Sequence, residues 1–158
     1  MLPAGAGPVH LDAYEADKKL AGLCSLALQQ AGRSLRERSV DFTFSVKTVD
    51  FVKENARAMS PDLFDDDSFA RYDIAIANPP YIKLQKQDQR ALAAAAIVHG
   101  QPNIYALFMA ITASLLARRG VMVTITPRSF ATGDYFRAFR QHFFSTVQPE
   151  SVHLFHSR

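Results

Sequence analysis

The stretch Tyr72-Asp73-Ile74-Ala75-Ile76-Ala77-Asn78-Pro79-Pro80-Tyr81 decides how this chain is read. Its first six residues form a short apolar run of the kind found in a buried parallel strand. Two consecutive prolines cannot continue a central strand, because proline has no N–H donor and a fixed φ. The chain therefore leaves the sheet at Asn78. In open α/β sheets ligands sit beyond the carboxyl ends of the strands, so Asn78 and Tyr81 stand where chemistry is usually done. An amide acceptor, a rigid main-chain carbonyl and an aromatic face within four residues suit the grip of a planar ring that carries an exocyclic amine. A strand-ending turn with a buried tyrosine is the plainer alternative, since Asn-Pro turns are common.

Outward from this stretch, the pattern alternates strand and helix. Val9 to Glu15 alternates apolar and polar residues and reads as a strand ending in an acid. Asp17 to Gln30 reads as a helix, with Leu20, Leu23, Cys24, Ala27 and Leu28 on its apolar face and Gly32 as its stop. Val40 to Val49 is a strand leading to Asp50-Phe51, and Val52 to Met59 a short helix. Ser60 to Ala70 is a polar loop whose acids, from Asp62 to Asp67, repel phosphates. Gln87 to Val98 is an alanine-rich helix, and Ile104 to Arg118 an apolar one with Ile104, Leu107, Phe108, Ile111 and Leu115 on one face. After the Arg119-Gly120 turn, Val121 to Thr126 is a buried strand stopped by Pro127. Asp134 to Ser145 is a helix and Val152 to His156 a last strand. This order implies an α/β fold with a mostly parallel, doubly wound sheet and a single domain over residues 1–158.

Three strands then end in pointed chemistry: Glu15, Asp50-Phe51 and Asn78 with Tyr81. In such a sheet these ends share one rim. An acid at a strand end is placed to bind ribose hydroxyls, and Asp-Phe suits a purine, with the carboxylate on an amino group and the ring on its face. Each of these residues also has a plainer role, as a helix cap or a core aromatic.

The remaining composition narrows the class. A single cysteine, Cys24, excludes an internal disulfide and any cysteine-rich metal site. The five histidines are scattered without ligand spacing, so no metal is expected, and there is no phosphate-binding P-loop. No run reaches the roughly 18 apolar residues of a membrane span, and the start lacks the basic and apolar regions of a signal peptide; a cytoplasmic protein fits. The net charge of +3 permits a nucleic-acid partner. The C-terminal part is basic, with Arg118, Arg119, Arg128, Arg137, Arg140 and Arg158, and Arg128 follows a strand end, as Asn78 does.

These residues resemble a known family. Tyr14-Glu15-Ala16-Asp17, Val49-Asp50-Phe51, Asp73 to Ile82 through Asn78-Pro79-Pro80-Tyr81, Asn103-Ile104-Tyr105-Ala106-Leu107-Phe108 and Gly120 to Phe130 look like the γ-type, adenine-N6 DNA methyltransferases of restriction-modification systems. The Asn-Pro-Pro-Tyr turn alone is shared with protein-glutamine N5 and rRNA base methyltransferases. The block ending in Thr126-Pro127-Arg128-Ser129-Phe130, followed by Tyr135 and Arg140, favours the DNA enzymes.

The resemblance implies a Rossmann-like methyltransferase fold that uses S-adenosylmethionine. Glu15, Asp50, Phe51 and Asn78 are then the cofactor residues, and Asn78, Pro79, Pro80 and Tyr81 the catalytic turn. In that turn the Asn78 side-chain oxygen and the Pro79 carbonyl accept the two hydrogens of the adenine amine. Tyr81 stacks on a base extruded from double-stranded DNA. Lys83 and Arg128 are the candidate DNA contacts. The family places a strand, a glycine-rich loop and a helix ahead of the acid. Here Pro3-Ala4-Gly5-Ala6-Gly7 lies too close to Glu15 for that helix. The expectation is a partial catalytic domain, altered or incomplete at its N-terminus, without a target-recognition domain and partnered by a specificity or nuclease component. A catalytically inactive remnant that binds DNA or a partner subunit is the alternative from another class.

Overall fold

The computed structural model describes residues 7–59, 71–93 and 102–155. It is a mixed α/β structure in two compact units, Met1–Glu54 and Asn55–Arg158. Each contains one pair of parallel strands. The acidic stretch from Asp62 to Asp67, most of the glycine-rich start and His156 lie outside the described residues.

In the first unit, β1 (Val9–Tyr14) pairs in parallel with β2 (Phe42–Lys47), Val9 opposite Phe42 and Tyr14 opposite Lys47. The period-two pattern sorts the faces. Val9, Leu11 and Ala13 share one face with Phe42, Phe44 and Val46. The other face is a ladder of polar pairs. His10 Nδ1 meets Thr43 Oγ1 at 2.8 Å. The Lys47 ammonium donates to Asp12 and to the Tyr14 hydroxyl, each at 3.1 Å. Burial pulls the Lys47 pKa down, but the hydrogen bonds and charges of Tyr14 and Asp12 outweigh it, and the net shift is upward.

Helix α1 (Lys18–Glu37) begins at Asp17, whose carboxylate accepts the N–H groups of Lys19 and Leu20. It runs straight through Gly32, the expected stop. Gly32 is buried, and a Cβ there would lie 3.1 Å from the Phe42 ring; glycine serves close packing on β2 rather than termination. The helix ends at Arg38. The Ser39 N–H bonds to the Arg36 carbonyl and the Val40 N–H to that of Leu35, with Ser39 at φ 58°. This is a Schellman closure with serine in the left-handed position that glycine usually takes. The inward stripe is also rotated from the expected one. Ala21 and Gly32 are buried, whereas Leu20, Leu23 and Leu26 are exposed.

In the second unit, β3 (Tyr72–Ala77) pairs in parallel with β4 (Leu116–Thr124). Helix α4 (Ile104–Ser114) is buried almost all round and carries the core. It packs on β4, on the 3-10 turn Ala56–Met59 that follows α2 (Phe51–Asn55), and on α5 (Arg137–Thr146). Helix α5 contributes Phe139 and Phe143. A short α3 (Gln89–Ala93) opens the alanine-rich stretch, whose continuation from 94 to 101 lies outside the described residues.

Three expectations are corrected here. Helix α4 stops at Ser114, short of Arg118, and β4 starts at Leu116. Between Tyr72 and Ile74 the partner register jumps from Leu116 to Val121. The extra residues bulge, with Arg119 at φ 70°. Second, the strands expected to be buried are covered on one face only. Ile74, Ile76, Val121, Val123 and Ile125 are exposed, while Ala75, Ala77, Met122 and Thr124 are half-buried. Third, residues 151–155 form no strand, and Val152, Leu154 and Phe155 are exposed, with no paired neighbour among the described residues to complete a ladder.

Candidate active site

Parallel pairing sets what stands together in each unit. In the first, the carboxyl ends of β1 and β2 coincide, and the Glu15 N–H continues the ladder to the Lys47 carbonyl at 3.1 Å. Glu15 and Asp50 are therefore at the same end of the pair. One Glu15 oxygen accepts the Asp17 N–H at 2.8 Å. Asp50 accepts the Lys53 N–H at 3.1 Å and so caps α2. Phe51 is half-buried, with the Tyr14 ring edge-on at 5.1 Å between centroids. Two carboxylate acceptors and an aromatic ring at adjacent strand ends suit hydroxyls, an exocyclic amine and a purine face, so the residues present fit a nucleoside-bearing cofactor.

In the second unit, the carboxyl ends of β3 and β4 coincide, and Ile125 N–H reaches back to the Ala77 carbonyl at 3.2 Å. Asn78 and Pro80 are exposed and Pro79 is buried, so the turn is anchored through its first proline. The Tyr81 hydroxyl donates to the Ile125 carbonyl at 3.1 Å and lies 3.4 Å from Asn78 Oδ1. Tyr81 nevertheless remains 54% exposed. Beyond it the chain is stitched to the start of α4: Ile104 N–H bonds to the Ile82 carbonyl, Leu84 N–H to that of Pro102, and Lys83 bridges Asn103 in antiparallel fashion. These bonds leave the Lys83 side chain exposed at the edge of a shallow groove of about 410 Å³, which Gln85, Gln87 and the Asp88–Arg90 ion pair also line.

Arg128 opens a 3-10 turn, Arg128–Ala131, past the end of β4. The turn is held from two sides. Arg140 on α5 donates to the carbonyls of Phe130 at 3.1 Å and Gly133 at 2.9 Å. Tyr105 on α4 pairs its hydroxyl with Ser129 Oγ at 2.9 Å. Tyr105 also sets its ring edge-on to Tyr81, at 6.2 Å and 88°. Sequence reasoning missed these supports. Tyr105, Ser129 and Arg140 stand in the stretches that carry the family resemblance, but nothing in the sequence showed that Tyr105 bonds to Ser129 or that Arg140 holds the Phe130 and Gly133 carbonyls. Among the described residues no cluster of three or more His, Cys, Asp or Glu side chains gathers as a metal site.

The family model described as Eco57I restriction-modification methylase matches residues 19–158. The chain belongs to this methylase family. The Type II methyltransferase M.BsuBI of Bacillus subtilis is 42% identical over 90 residues, 56% of this chain and 18% of that protein. The Type II methyltransferase M.PstI of Providencia stuartii is 38% identical over 89 residues, 56% of this chain and 17% of its own length. The match thus spans less than a fifth of either relative. No helix among the described residues of this chain is long and apolar enough to cross a membrane.

Proposed function

We propose that this chain is catalytic-domain sequence of a DNA methyltransferase that transfers a methyl group to the N6 amine of adenine, within a cytoplasmic restriction-modification system. The fold we infer is the Rossmann-like, doubly wound one, with residues 1–158 as part of a single catalytic domain. The observation that carries the reading is the Asn78–Tyr81 turn. It sits at the carboxyl end of a parallel strand pair, with an exposed amide and a half-exposed aromatic ring tied by its hydroxyl to the strand end. The family match and the two Type II methyltransferase relatives support it.

S-adenosylmethionine supplies the methyl group when bound. Glu15 accepts from the ribose hydroxyls, and Asp50 and Phe51 hold the purine. Asn78 Oδ1 and the Pro79 carbonyl accept the two amine hydrogens of the target base. The adenine amine is a poor nucleophile because its lone pair is delocalised into the ring; holding both hydrogens out of plane localises that pair for attack. Pro79 and Pro80 fix the acceptors, so catalysis here is positioning and electrostatic complementarity. Tyr81 stacks on the extruded base, and Lys83 and Arg128 contact the DNA backbone. A specificity or nuclease component is the expected partner.

The test is to incubate the intact protein with S-adenosylmethionine and genomic DNA from a host lacking DNA methylation, then analyse the digested nucleosides. N6-methyladenine is expected, and Asn78→Ala abolishes it. Methylcytosine alone, methyl transfer to RNA or to protein glutamine in parallel arms, or full turnover by Asn78→Ala would each overturn the reading.

A further inference from the structure

The aromatic contacts around the turn do not stop at Tyr81. Its ring meets Tyr105 edge-on, and Tyr105 in turn packs 6.0 Å from Phe136, at the head of the Phe139–Phe143 stack. Tyr105 is 2% exposed. A buried phenol needs a hydrogen-bond partner, and this one finds it in Ser129, an exposed residue next to Arg128. One side chain therefore touches both the ring that faces the ligand and the turn that presents the cation. A phenylalanine would fill the same space without the link to Ser129.

Resting on the methyltransferase reading, we propose that Tyr105 is a positioning residue. Its ring sets the orientation of Tyr81, its hydroxyl sets the Arg128–Ala131 turn, and capture of an extruded nucleobase is thereby coupled to contact with the DNA backbone. Arg140 closes the far side of the same turn through the Phe130 and Gly133 carbonyls. Tyr105 is thus the support that links the turn to the base site. A purely structural Tyr105 would act on folding alone.

Steady-state methylation of the same genomic DNA separates the two roles. Tyr105→Phe, Ser129→Ala and the double variant are compared with Tyr81→Ala, with melting temperature and S-adenosylmethionine Kd measured for each. Ser129 is exposed, so its variant folds even where a core change does not. Loss of one neutral hydrogen bond corresponds to about a three- to tenfold effect. That drop is expected in kcat/KM for DNA in both single variants, with cofactor Kd unchanged and the double variant no worse than either single. Wild-type kcat/KM in Tyr105→Phe and Ser129→Ala, or additive losses in the double variant, would sink the coupling while an impaired Tyr81→Ala leaves base capture standing. An unimpaired Tyr81→Ala would sink base capture itself, and the coupling with it.

Discussion

The Tyr81 hydroxyl donates to the main-chain carbonyl of Ile125 at 3.1 Å. That bond ties the turn after β3 to the residue following β4, across strands that are parallel neighbours. The same hydroxyl lies 3.4 Å from Asn78 Oδ1, so one proton stands between the strand end and the amide. The aromatic face is held in place by the chain itself, which would lower the ordering cost of stacking a base on it.

This geometry grades the variants at Tyr81. A ring that only stacks would tolerate Tyr81→Phe fully. Here the variant releases the Ile125 carbonyl and the Asn78 amide, so turnover is expected to fall about three- to tenfold. Tyr81→Ala loses more, because the stacking surface also goes, worth about 1–3 kcal/mol per base. Methylation rates of both variants check the order; equal and severe losses would mean that the hydroxyl carries the function.

The proposed cofactor residues need a different design, because Asp50 would have two duties. It caps α2 through the Lys53 N–H, so Asp50→Ala removes a cap worth about 1 kcal/mol of stability as well as the proposed ligand contact. Asp50→Asn keeps an acceptor for the cap and removes the charge. Glu15→Ala and Asp50→Asn are each expected to weaken S-adenosylmethionine binding by about 1–3 kcal/mol, as charge-assisted bonds are lost. Calorimetry on the intact protein measures it, and unchanged Kd values would return both residues to capping.

Gly120 is fixed by space rather than by turn type. A Cβ there would lie 2.7 Å from the Tyr72 carbonyl oxygen and 2.9 Å from that of Ala117. Both are backbone atoms within the bulge that sets the β3–β4 register. Gly120→Ala is expected to destabilise the chain by about 1–3 kcal/mol, as overpacking does, and to impair turnover through the displaced strand ends. Thermal unfolding checks the first and methylation the second; a wild-type melting temperature would show that the bulge adapts.

What was legible in the sequence was which residues stand at the strand ends. The bounds of β3 follow directly from the apolar run and Pro79, and Asn78 falls where that boundary demands. What was not legible depends on contacts across the fold. Gly32 resembles a helix stop until Phe42 is seen against it, and the true stop uses Ser39, which carries no glycine signal. The apolar residues of α1 fit more than one face, and close approach to β2 selected the smaller ones. Val152, Leu154 and Phe155 have strand composition, but composition cannot supply the neighbour that a strand needs. Tyr105 was hidden because a tyrosine in an apolar helix reads as core until its hydroxyl partner is known.

His142 on α5 gives the chain a predictable acid sensitivity. Its Nε2 is buried without a hydrogen-bond partner among the described residues, and burial holds its pKa below the ordinary 6.5. The folded state therefore resists the proton that the unfolded chain accepts. With the folded pKa depressed, the neutral imidazole costs nothing above about pH 6.5, and stability is lost as pH falls through that value and on toward the folded pKa. His142→Gln cannot be protonated and lacks this contribution, although carboxylates still add their own acid slope. Urea unfolding at about pH 8 and at about pH 5.5 is expected to show a larger loss for the wild type than for His142→Gln, since only the wild type takes up this proton on unfolding. Equal losses in the two proteins would mean that His142 is hydrated and titrates freely in the fold.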